Sequence, residues 1–161
     1  MNTPALVAVV MALLGSALIG GVFFAFSNFV MKALSRVSSS EGIAAMQEIN
    51  IVVINPWFLG AFVGTAILSL GMIGASLLLY WSHTAAMFYL SAGLCYFMGT
   101  FLVTLFGNVP LNNRLAAISP GNPAADIEWE HYLDRWTKWN HLRMVSAMVS
   151  ALLIVLGLME R

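Results

Sequence analysis

The sequence predicts an all-α integral membrane protein, a four-helix bundle with a short interfacial helix between spans one and two and a polar, partly helical connection between spans three and four. Three observations predict it. Of the 161 residues, 60% are hydrophobic and only 9% charged, whereas soluble domains carry about 25% charged residues. Stretches free of Asp, Glu, Lys and Arg run from Met1 to Met31, from Ile49 to Asn113 and from Met144 to Met159, and about 20 apolar residues suffice to cross roughly 30 Å of hydrocarbon. The long middle stretch divides at Tyr80-Trp81-Ser82-His83-Thr84, an amphipathic cluster suited to headgroup level. The spans are then about 4–31, 56–80, 85–107 and 139–159, in a single domain over residues 1–161.

Span one lacks a cationic leader and an A-x-A-like cleavage site, so it reads as a retained helix. It pairs Ser16 with Gly20 and Ala17 with Gly21, and span two repeats the device with Gly60 and Gly64, then Gly71 and Gly74. Small residues at that spacing let helices approach closely, which predicts a tight bundle. Between the two spans, Ser38 to Ser40 followed by Glu41 resemble an N-terminal cap, and Ile43, Met46, Ile49 or Asn50, and Val53 recur at helical spacing. A short helix along the interface follows, with Asn55 capping and Pro56 opening span two. Pro110 is expected to end or kink span three, and Ser119 to Pro123 read as a turn. After Asp126, residues Trp129, Tyr132, Trp136, Trp139 or Asn140, and Arg143 lie every three or four positions on one face of one helix, continuous with span four. Asp134 and Lys138 suit its solvated opposite face.

Lys and Arg orient the chain. Lys32, Arg36, Arg114, Arg135, Lys138 and Arg143 fall on one face and only Arg161 on the other, so the positive-inside rule puts both termini outside the cytoplasm, in a plasma (inner) membrane. The net charge of zero gives no reason to expect nucleic acid. The single Cys95 excludes an intrachain disulfide. No metal is expected: His131 and His141 are ten residues apart, and the one E-x-x-H, Glu128 with His131, lacks the second pair and core glutamates of a di-metal bundle. P-loop, G-x-G-x-x-G and nucleophile-elbow motifs are absent, and no cofactor is announced.

The cytoplasmic ends gather Asn55, Asn108, Asn112, Arg114, Asn140, His141 and Arg143 at one predicted depth, with Gln47 and Asn50 of the interfacial helix. An unpartnered buried amide costs about 1–3 kcal/mol, so these groups should pair with each other or with a ligand. Each has a plainer reading. Arg143 could snorkel to phosphates, the tryptophans could form an interfacial belt, His141 could be a hydrogen-bonded helix-end residue, and Asn108 and Asn112 could cap helices around Pro110.

"GVFFAFSNFVMKAL" in span one, "INIVVINPWF" entering span two, "FGNVPLNNRLA" leaving span three and "WTKWNHLRM" entering span four resemble the anthrone oxygenase-like family. N-x-P-L-N and W-N-x-x-R are the most specific elements. The resemblance implies a cofactor-independent oxygenase that turns an anthrone into an anthraquinone with O2, and so a hydrophobic, aromatic or quinol-like substrate. By chemical type, Trp136, Trp139 and Tyr132 would supply a flat wall, Arg143 with Asn140 or Asn108 the oxyanion stabilisation, and His141 or Asp134 the base. Asn112 and Asn55 would help to hold the substrate. Two rivals stand beside this reading: a non-catalytic carrier of a lipid-soluble molecule, and an accessory subunit or homo-oligomer packed through the small-residue faces.

Overall fold

A computed structural model describes residues 2–79, 81–119 and 124–160, and the described residues are all-helical, without strands. Five helices form: α1 (Thr3–Leu34), α2 (Ser39–Val52), α3 (Pro56–Leu78), α4 (Thr84–Ala116) and α5 (Ala125–Met159). All but α2 are long and apolar enough to cross a membrane, so the chain is a membrane protein. The long helices close a ring in which α5 packs on α1 and α4, and α3 packs on the same two. Apolar side chains such as Leu18, Ile67, Met98 and Leu152 face outward, as a lipid solvent requires.

Local chemistry accounts for the starts. Asn2 accepts from Ala5 N–H, and Asn55 accepts from the amides of Trp57 and Phe58 with Pro56 in the first turn. The expected cap of α2 is a complete capping box, in which Ser38 and Glu41 each take the other's backbone N–H. The Ser38 hydroxyl and amide hold the Glu41 carboxyl below its ordinary value of 4.5. That contribution is present above the ordinary pKa and fades as pH falls through the lowered one.

Two helices run further than the sequence suggested, while α5 is one continuous helix from Ala125 to Met159, as the aromatic spacing after Asp126 predicts. The first helix continues from Met31 to Leu34. Pro110 does not end α4, which continues to Ala116. The turn Thr104–Asn108 just before it is a widened π turn, and the looser ladder absorbs the missing N–H of proline. Two further π turns occur, Phe26–Val30 in α1 and Phe97–Leu102 in α4. The predicted interface cluster retains Trp81, which is exposed, while Tyr80 lies outside the described residues, as do positions 120–123 of the expected turn and Arg161.

The glycine reading holds for only one helix. Gly15 abuts Thr65 and Gly20 abuts Ala147 and Met148, but Gly21, Gly60, Gly64, Gly71 and Gly74 have open space where a Cβ would stand. The glycines of α3 therefore face away from the bundle and do not tighten it. Close approach is made instead at Gly93 against Ser69, Gly99 against Ser146 and Gly107 against Trp139. The inner face of α2 packs Ile43 and Met46 into a cluster with Leu115, Trp129, Tyr132 and Trp136, so this helix docks on the protein. Gln47 fixes it further by donating to the carbonyls of Leu115 and Ile118, both at 2.9 Å.

Candidate functional site

The inward face of α5 presents Tyr132, Trp136, Asn140 and Arg143 in successive turns, all buried. Trp129, Tyr132 and Trp136 stack with centroid separations of 5.6 and 6.1 Å, and Phe26 of α1 lies 5.5 Å from Trp136. Asn112 fixes two of these rings at once: its Oδ1 accepts from Tyr132 Oη at 2.9 Å and from Trp136 Nε1 at 2.8 Å. The pair of bonds holds the aromatic wall in one rotamer set, because losing Asn112 would strand two donors away from water.

Below the wall sits Arg143, only 4% exposed. Its guanidinium carbon is 4.1 Å from the Phe23 ring centroid and 5.1 Å from that of Trp136, a cation sandwiched by π faces. It donates to Asn140 Oδ1 at 2.7 Å and to Thr104 Oγ1 at 3.2 Å. Asn140 in turn donates to the Phe23 carbonyl and to Ser27 Oγ, each at 2.8 Å. Thr100 donates to the Arg143 carbonyl at 3.1 Å, and Asn108 donates to the Trp136 carbonyl at 3.1 Å. Among the described residues no carboxylate pairs with Arg143, and two buried polar atoms have no partner: Arg143 Nε, a donor, and Asn108 Oδ1, an acceptor.

The π turns carry this site. Ser27 lies in the turn Phe26–Val30, Thr100 in Phe97–Leu102, and Thr104 and Asn108 in Thr104–Asn108. Thr100, Thr104, Asn108 and Asn112 are spaced by four, and in an α-helix each step of four drifts by about 40° around the axis. Turns that hold more residues cancel much of that drift, so all four can address α5.

The structure brings together Asn108, Asn112, Tyr132, Trp136, Asn140 and Arg143 from the residues the sequence singled out. It leaves others apart. His141 and Asp134, the two candidate bases, are exposed, and Asp134 pairs with Lys138. Trp139 is 40% exposed and covers Gly107 on the outer side of the contact between α4 and α5. Asn55 spends both ends of its amide on local backbone, its Nδ2 donating to the Val52 carbonyl at 2.9 Å. Asn108 and Asn112 cap no helix; both reach across to α5. Arg114 forms an ion pair with Glu128 outside the cluster, so the E-x-x-H carboxylate is a surface partner. Among the described residues no three His, Cys, Asp or Glu side chains gather at one point. Phe23, Ser27, Thr100 and Thr104 were missed; the four-residue polar spacing through the apolar α4 was the signal that could have found the threonines.

Fold and site together define a small polytopic membrane protein with an aromatic-walled, cationic polar centre near one end of its bundle. A family model described as anthrone oxygenase matches residues 53–153, and the chain belongs to that family. The match covers α3, α4 and the part of α5 that bears the site; α1 and α2 lie outside it. No curated protein and no solved structure matches the chain.

Proposed function

We propose that the protein is a membrane-embedded, cofactor-independent oxygenase that uses O2 to oxidise a hydrophobic aromatic molecule of the anthrone or quinol type. The observation that carries this reading is the state of Arg143: buried, walled by Phe23 and Trp136, without a carboxylate partner among the described residues, and with Nε unpaired. A buried cation that lacks an anion favours a ligand that brings one. An anthrone does so when its methylene loses a proton, because the negative charge moves to the ketone oxygen.

In this reading Arg143 holds the enolate oxygen, Asn108 Oδ1 accepts from a neighbouring hydroxyl, and the Tyr132 and Trp136 rings flank the flat body. The proton passes to a solvent base, since neither His141 nor Asp134 touches the cluster. The carbanion gives one electron to O2; the carbon radical and superoxide combine to a peroxide anion, which takes a proton back from solvent, and the resulting hydroperoxide loses water. The balance is CH2 plus O2 to C=O plus H2O. The charge asymmetry of the loops supports a plasma-membrane setting with the site at the cytoplasmic face and both termini outside.

The test is anthrone-dependent oxygen uptake by the purified protein, corrected for autoxidation. Arg143→Ala should lower the rate by about 10²–10³-fold, the usual cost of removing an oxyanion donor, and Arg143→Lys should recover only part of it because one ammonium cannot reproduce the planar fork. Uptake that survives Arg143→Ala would refute the assignment, and saturable anthrone binding with no uptake would make the protein a carrier.

A further inference from the structure

At the opposite end of the ring, about 25 Å along α5 from Arg143 by helical rise, the first turns of α1 and α4 and the last turns of α3 and α5 diverge around a cavity of about 560 Å³. We propose that this cavity is a second binding site, for a neutral amphiphile with a compact apolar body and a hydrogen-bond-donating head such as a phenolic or alcoholic hydroxyl. Its volume is within the roughly 300–1,000 Å³ typical of small-molecule pockets.

The lining sets the chemistry. Val9, Met72 and Ala86 form an apolar floor, all of them buried, and room is left because four of the lining positions, Ala5, Ala75, Ala85 and Ala86, carry only methyl groups. Polar groups line its upper wall: the hydroxyls of Ser76, Ser82, Thr84 and Tyr89, the imidazole of His83 and the carboxylate of Glu160. The hydroxyls and the carboxylate accept hydrogen bonds, and among the described residues no lysine or arginine lines the space. A carboxylate ligand would be repelled by Glu160, with only the His83 imidazole among the described lining groups able to offset it, whereas a hydroxyl finds an acceptor while its hydrocarbon remains on the floor. The same chemistry could be offered by a membrane lipid bearing a free hydroxyl or by a free small molecule. The volume favours the second, since a compact bicyclic body fits and two long acyl chains do not.

The site is independent of the reading of Arg143, which is on the other side of the bundle. The test titrates 1-naphthol into the full chain in lipid nanodiscs, with empty nanodiscs subtracted and 1-naphthoate as the anionic control. Saturable 1-naphthol binding is expected, with 1-naphthoate weaker. Ala86→Trp, which fills the space, should weaken 1-naphthol by at least about tenfold, and Ser76→Ala, which removes one acceptor, by less. Ala75→Phe serves as the second filling variant if Ala86→Trp fails to fold. Binding that ignores both filling variants, or that is lost on Trp136→Ala instead, would overturn the proposal. An absence of saturation in nanodiscs would assign the space to lipid and overturn it as well.

Discussion

Asn112 is the residue on which the aromatic wall depends. One oxygen, on α4, accepts from both Tyr132 and Trp136 of α5. Asn112→Ala should therefore cost about 1–3 kcal/mol of unfolding free energy, the desolvation cost of a stranded donor, read as a lowered midpoint in a detergent unfolding titration; an unchanged midpoint would mean the rings are held by packing alone. The importance of Asn112, Asn140 and Arg143 was legible in the sequence, because amides and a guanidinium at a membrane boundary require partners. Their partners were not legible. Several of them are backbone carbonyls and hydroxyls, such as Phe23 O and Thr104 Oγ1, which no residue-type pattern distinguishes from the other carbonyls and hydroxyls of the chain. His141 illustrates the converse: its neighbours in sequence, Asn140 and Arg143, point inward, and one step of about 100° around the helix from Asn140 carries the imidazole outside.

Among the elements, α2 is the one whose seating is easiest to disturb. A Cβ on Gly42 would come within 2.6 Å of the Trp129 ring, while Gly60 has open space. Gly42→Val should thus loosen α2 and speed amide exchange across Ser39–Val52, and Gly60→Val should leave exchange there unchanged; equal behaviour of the two variants would show that α2 is held by lipid and not by the Trp129 contact. The capping box and the Ile43–Met46 face of this helix were readable from spacing, since they are local. The reach of α4 past Pro110 was not, because proline is ordinarily a stop and only the widened turn before it lets the ladder continue. Likewise the outward direction of the α3 glycines follows from which helices neighbour α3, a property of the ring that small-residue spacing does not encode.

For the whole molecule, the two ends differ in chemistry: an aromatic-walled cationic centre near α2 and, at the other, a cavity rimmed by hydroxyls and the Glu160 carboxylate. In the orientation proposed from the loop charges, the first end faces the cytoplasm. In a Cys95→Ser background, a cysteine at Ser40 should resist a membrane-impermeant thiol reagent applied to intact cells, and a cysteine at Glu160 should react; the reverse pattern would invert the topology. Four spans were legible because hydrocarbon thickness sets helix length, which is a constraint of the solvent and not of the fold. One further property follows from α5. With 35 residues it is about 50 Å long, well beyond the roughly 30 Å of the hydrocarbon layer, and the same rod carries both the lipid-facing span and Tyr132, Trp136, Asn140 and Arg143. Any lean that a thinner or thicker membrane imposes on that rod is transmitted as a lever to the aromatic wall, so bilayer thickness is a physical input to the geometry around the guanidinium.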